Sequence, residues 1–212
     1  MIDQASASIG AVDVPRGADT TPPELRFILE HSGCRIAFAD DERVATELLA
    51  MRGALPQLEH VVVMQDSTGV DGALALGELL QRGRSSPDGK AKLAAARAAV
   101  HADDLLTIVY TSGTTAEPKG VMLTHGNVLS NIRVVTEVLH INEEDSFLSV
   151  LPAWHVYERI MDYLALATGS QLVYTDRRRI KEDLGKVRPT VFAAVPRIWE
   201  MLHDGIVGHA QK

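Results

Sequence analysis

The chain has 212 residues, with 28 acidic against 21 basic side chains and a formal charge of −7. A dedicated nucleic-acid binder needs clustered Lys and Arg to neutralise phosphates, so this balance argues against one while leaving room for a local basic pocket. At 46% hydrophobic the chain can bury a substantial core, and its single cysteine, Cys34, excludes an intrachain disulfide and reads as a small buried hydrophobe.

The N-terminus carries Asp3 and no basic stretch, so it does not read as a secretory signal. No apolar run reaches the ~18 residues a membrane span needs. Cytoplasmic placement fits, with attachment at a membrane surface left open.

In chain order, Thr21 is a candidate helix N-cap, Pro22 a first-turn residue and Gly33 the stop of a helix through ELRFILEHSG. RIAFAD (35–40) predicts a strand, and DERVATELLAMRG a helix ending at Gly53. HVVVMQ (60–65) has the β-branched run of a strand buried on both faces. A short helix is expected over Leu74 to Arg82, a loop over 83–90, and an Ala-rich helix through KLAAARAAV.

DLLTIVYTS predicts a strand that delivers an unusual loop, and GVMLTH a further strand. A helix is expected through GNVLSNIRVVTEVLH, with Asn127 the better N-cap candidate beside His125. SFLSVLP, QLVYT and TVFAAVP read as short strands, with helices at roughly 155–167, 179–187 and 196–208. This alternation predicts an α/β fold, a mostly parallel sheet with flanking helices.

The loop, YTSGTTAEPKGV, packs five hydroxyls, two glycines and one lysine between two apolar runs. It follows a strand, where an open parallel sheet presents ligands at its carboxyl edge. Gly113 and Gly120 permit close backbone approach, and Thr111, Ser112, Thr114 and Thr115 place hydroxyls beside backbone N–H groups. Lys119 adds a mobile positive charge behind Pro118. Together these residues predict a cradle for a polyphosphate. The common P-loop is a poor match, because Pro118 stands at its second glycine and Gly120 at its Mg-binding hydroxyl.

TSGTTAEPKGVMLTH resembles the phosphate-loop signature of the adenylate-forming acyl-CoA synthetase superfamily, whose usual form is TSGTTG-x-PKGV. VLPAWHVYERI (150–160) is similar to the LP-x-x-H-x-x-E segment of its long-chain fatty acid–CoA ligases. RPTVFAAVPRIWEML (188–202) resembles the VRPT…VPR-x-W-E stretch of the same subgroup, and TTPPELRFILEHSGCRIAFADD an early βαβ region. Ala116 departs from the pattern, standing where the family most often has Gly.

The resemblance implies two half-reactions. A fatty acid carboxylate attacks the α-phosphate of ATP, releasing pyrophosphate, and the thiol of coenzyme A then displaces AMP. Thr111, Ser112, Gly113, Thr114, Thr115 and Lys119 would hold the departing phosphates, with Mg²⁺ sharing the charge. His155 is the candidate catalytic residue, near the adenylate and acyl groups. Trp154, Tyr157 and Glu158 are candidates for the substrate pocket; Glu158 and Arg159 read equally as a site pair or a solvated helix face. The run RRRIK (177–181) reads as a solvated helix start rather than a phosphate patch, and Trp199 as core. No protein metal ligands are assigned.

Family members are typically more than twice as long, so residues 1–212 read as part of the large N-terminal domain, without the small C-terminal domain. A piece of a larger sheet exposes strand edges that invite self-association. Two alternatives stay open: a non-catalytic nucleotide-binding or subunit-interacting remnant, and an adenylating ligase for an aryl or amino acid.

Overall fold

The computed structural model describes residues 2–17, 19–111 and 117–210. The chain divides into two compact units, Met1–His125 and Gly126–Lys212.

The first unit opens with helix α1 (Ile2–Ser8) and helix α2 (Pro22–Ser32). Prolines occupy the first turn of α2, where a missing N–H leaves no hydrogen bond broken. Gly33 ends it at φ 66°; its N–H and that of Cys34 turn back to the carbonyls of Glu30 and Leu29. Strand β1 (Ile36–Ala39) leads to helix α3 (Glu42–Met51), whose N-cap Asp41 accepts from the Val44 N–H at 2.8 Å.

Strand β2 (His60–Val63) lies between β1 and strand β3 (Leu74–Ala75) in a parallel three-stranded sheet. Val61, Val62 and Val63 are all buried, as expected of a strand covered on both faces. Leu29, Leu48, Leu55 and Leu58 pack against this sheet to form the core.

Leu74 and Ala75 do not begin a helix as expected. They pair with Val62 and Val63, and helix α4 (Leu76–Arg84) starts after them. A two-residue strand is set by its distant partner and carries no periodicity of its own. Helix α5 (Gly89–Ala98) is the expected Ala-rich helix.

Strands β4 (Leu105–Thr111) and β5 (Lys119–Thr124) pair antiparallel. The hydroxyl-rich segment therefore joins the arms of a β-hairpin, and the expected placement at the carboxyl edge of a parallel sheet is corrected. Asp13 bridges to Thr107 on β4, donating to the Leu106 carbonyl at 3.2 Å and accepting from the Ile108 N–H at 3.0 Å.

Helix α6 (His125–Leu139) leads into the second unit. Asn127 lies inside this helix and is not its N-cap; its carbonyl accepts from Ser130 Oγ at 2.8 Å and Asn131 Nδ2 at 2.9 Å. Strand β6 (Ser146–Ser149), helix α7 (Val156–Thr168) and strand β7 (Gln171–Tyr174) form a βαβ unit with parallel strands. Phe147, Leu164, Ala165 and Ile141 are buried together, with Ile132 and Val135 of α6 against them.

Helix α8 (Ile180–Val187) and helix α9 (Pro196–Ala210) complete the unit around Val150, Ile180 and Ile198. The strand expected through TVFAAVP shrinks to one bridge, Val191 to Phe147. The overall class is the expected one: a mixed α/β fold, parallel in the β1–β3 and β6–β7 sheets.

Candidate functional sites in the two units

In the first unit the hairpin register sets Thr111 directly opposite Lys119, and Tyr110 opposite Gly120. Thr111 and Lys119 are both exposed, one at the last position of β4 and the other at the first of β5. Ser112, Gly113, Thr114 and Thr115, expected to complete the cradle, lie outside the described residues, as does Ala116.

Packing at Gly120 is tight in this register. A Cβ on Gly120 would sit 2.9 Å from Ile108 Cγ2 and 3.3 Å from the Tyr110 ring. A side chain at 120 would force Ile108 to shift and crowd the ring that lies across the hairpin.

Tyr110, only 4% exposed, is held at both ends. Its hydroxyl meets His31 Nδ1 at 2.7 Å, and its carbonyl accepts from Arg16 Nη1 at 3.2 Å. Glu24 pairs with Arg16. Burial pushes the Tyr110 phenol above its ordinary value, so it stays a neutral hydroxyl. The Cys34 thiol is likewise raised by burial. Arg16, Glu24 and His31 went unnoticed in the sequence. They lie 79 to 94 residues from Tyr110 in the two direct contacts, and no local pattern announces such pairings.

In the second unit His155 is the N-cap residue of α7, with extended backbone (φ −84°, ψ 132°) and an exposed side chain. The Trp154 ring lies 6.1 Å from the His155 ring, and Tyr157 is 48% exposed. Trp154, His155 and Tyr157 thus cluster at the start of one helix.

Glu158 behaves differently. It is only 1% exposed, and its Oε1 accepts from the Val150 N–H at 3.1 Å. Burial pushes its carboxyl up, against the opposing effect of hydrogen bonds from Ser149 and from the Val150 and Leu151 backbone, while the nearby Asp162 pushes it further up. Arg159 is also buried; its Nη2 donates to Tyr163 Oη at 2.6 Å and its guanidinium lies 5.4 Å from that ring centroid. Tyr174 Oη donates to Asp162 Oδ2 at 3.2 Å. The solvated-face reading of Glu158 and Arg159 is therefore corrected: both point into the protein. The signal available in the sequence was Asp162, one turn after Glu158 on the same helix face.

Two other expectations resolve. Asp176 Oδ1 accepts from the N–H groups of Arg178 at 2.7 Å and Arg179 at 3.1 Å, so the RRRIK run is an exposed turn that leads into α8. Trp199 is half exposed and not core; it meets Phe192 edge-on at 5.2 Å. Among the described residues, no group of three or more His, Cys, Asp or Glu is placed to hold a metal ion.

The family model for the AMP-binding enzyme aligns with residues 1–212. The chain belongs to the AMP-binding enzyme family. Among curated relatives, the chloroplastic long-chain-fatty-acid–[acyl-carrier-protein] ligase AEE15 of Arabidopsis thaliana is 32% identical over 218 residues, covering 96% of this chain and 30% of the relative. The peroxisomal long chain acyl-CoA synthetase 6 of the same plant is 32% identical over 219 residues, covering 98% and 30%. The chain thus spans about a third of the length of these relatives. A solved structure from Rhodopseudomonas palustris CGA009 superposes with a TM-score of 0.77 at 18% identity, covering 96% of this chain and 49% of that one; this likeness speaks to the fold alone.

Proposed function

We propose that residues 1–212 form part of the N-terminal domain of a long-chain fatty acid–CoA ligase. Such an enzyme activates a fatty acid as its acyl-adenylate and then transfers it to coenzyme A. The observation that carries the reading is the hairpin base, where a ladder of main-chain pairs sets Thr111 opposite Lys119 at the two ends of the hydroxyl-rich segment.

In the first half-reaction the carboxylate oxygen bonds to the α-phosphorus as the bond to pyrophosphate breaks. Thr111, Ser112, Gly113, Thr114, Thr115 and Lys119 hold the leaving group. A lysine ammonium and hydrogen-bond donors would stabilise the charge that develops on it. Mg²⁺ bound with the nucleotide would share the phosphate charge that these residues hold. His155 serves the reacting acyl group in this proposal, with Trp154 and Tyr157 beside it.

The names of the relatives support a fatty acid over an aryl or amino acid. Acyl-dependent ATP–pyrophosphate exchange tests this choice. Palmitate should support exchange above benzoate and the amino acids. Exchange with benzoate or an amino acid but not palmitate would contradict the substrate class.

Placement and association are part of the same reading. No described helix is long and apolar enough to cross a membrane. We place the protein in the cytoplasm, with a membrane-surface fraction to be sought by fractionation. Exposed Ile36 and Phe38 on β1, and Val121 and Met122 on β5, favour self-association of the chain. A sharp monomeric size-exclusion peak would contradict it.

A further inference from the structure

His155 has an exposed side chain on a segment that leaves β6 at Ser149 and enters α7 at Val156. A side chain in that position is only as well placed as the segment beneath it. The His155 N–H closes a turn onto the Pro152 carbonyl at 2.9 Å, and the His155 carbonyl accepts the Arg159 N–H at 3.1 Å. The first bond is local to the segment, and the second ties His155 to the first turn of α7, leaving the stretch from Val150 to Pro152 without a main-chain tie to the helix.

Glu158 supplies a side-chain tie. It stands three residues after the N-cap, where a glutamate commonly reaches back to the N-cap N–H. Here that N–H is already used by Pro152, and the carboxylate instead crosses to the Val150 N–H at the far end of the segment. The segment is thereby closed into a loop of fixed ends. The other carboxylate oxygen, Oε2, is sealed from solvent without a hydrogen-bond partner. A cavity of about 10 Å³ lies between Glu158, Ser149 and Asp162.

We infer that Glu158 is a positioning residue: it ties Val150 to α7 and so fixes where the 152–155 turn presents His155. This rests on the proposed role of His155 near the acyl group. It also gives a physical reason for the H-x-x-E spacing. Three residues put the carboxylate one turn inside the helix that the histidine caps, facing back under the segment rather than outward with Tyr157.

The test uses the 212-residue chain with Trp199→Phe, which leaves Trp154 as the sole tryptophan reporter. His155 imidazole resonances, assigned with His155→Gln, and Trp154 emission are followed alongside thermal melting. Glu158→Leu should move both signals well below the melting temperature. Glu158→Gln keeps the accepting oxygen and puts a donor in place of the orphaned one, so it should hold both signals where the parent has them. Tyr163→Phe, which removes a different buried hydrogen bond on α7, should lower the melting temperature without moving either.

The inference is overturned if Glu158→Leu leaves both signals in place, if Glu158→Gln shifts them as far as Leu does, or if Tyr163→Phe shifts them equally. Should Glu158→Leu not fold, Glu158→Asp, one methylene too short to reach Val150, takes its place under the same criteria. Binding of a palmitoyl-sulfamoyl adenosine separates the two layers. Loss of the anchor should weaken it on the order of tenfold, as His155→Ala should, the scale of one lost contact. If His155→Ala binds as the parent does, the role of His155 falls, and the resonance shifts alone decide the anchor.

Discussion

At the base of the β4–β5 hairpin, Thr111 and Lys119 face each other because main-chain pairing puts them there. The segment carrying His155 has no such ladder; Val150 at its start packs with Ile180 and Ile198, and the buried Glu158 carboxylate accepts its N–H. The difference predicts how each responds to substitution. A backbone ladder tolerates changes in its outward side chains and fails only where packing forbids a larger residue. A segment tied by a side-chain hydrogen bond is vulnerable at the residue that makes it. The hairpin has its own side-chain support, but it lies underneath, where Arg16 and His31 brace Tyr110.

The sharpest way to break this contrast is Gly120→Val. Its added atoms would collide with Ile108 and the Tyr110 ring, and overpacking of this kind costs about 1–3 kcal/mol. Urea denaturation should show that loss, whereas Thr111→Ala on the exposed rim should stay within about 0.5 kcal/mol of the parent. Equal effects would mean that the ladder does not govern the hairpin.

Next in size is Tyr110→Phe. It deletes the hydroxyl that meets His31 and should cost roughly 0.5–1.5 kcal/mol by the same measurement. Indifference would remove the bracing beneath the hairpin.

A pH series sharpens the other side of the comparison. Burial raises the Glu158 carboxyl above its ordinary 4.5, so the folded state holds this proton more tightly than the unfolded chain does. Its stabilising contribution is complete below pH 4.5 and is lost as pH rises through the folded-state value. Stability should therefore fall on that rising limb, and Glu158→Gln should flatten it. An unchanged limb in the variant would contradict the assignment.

The smallest effect has the opposite sign. The backbone N–H groups of Arg178 and Arg179 hold the Asp176 carboxylate below its ordinary value. Its contribution is present above that ordinary value and is lost as pH falls through the lowered one. Asp176→Asn should weaken the acid limb only slightly, because the group is exposed.

Much of the fold was legible where a residue acts locally. Pro22 and Gly33 bound α2 because ring closure and positive φ are properties of those residues alone. The valines of β2 announced a strand covered on both faces. The hairpin was not legible, because the connection between Thr111 and Lys119 is far longer than the two-residue turns that signal one, and nothing local distinguishes antiparallel from parallel return. Asn127 looked like a cap by residue type, but the helix begins before it. At the candidate sites, motif spacing picked out Lys119, His155 and Glu158. It did not reveal that Glu158 turns inward, since helical spacing gives the face of a residue and not the partner waiting under it. Arg16 and His31 had no signal at all, because their roles exist only after the chain has folded.

The central claim is that the hairpin mouth grips the phosphates of a nucleotide, and equilibrium binding of Mg·ATP to the parent chain and to Lys119→Ala tests it most directly. The account predicts that the parent binds and that the variant, folded equally well, binds roughly 10- to 100-fold more weakly, the worth of one charge-assisted contact. Equal affinity in the two proteins, or a folded parent that does not bind Mg·ATP, would contradict it.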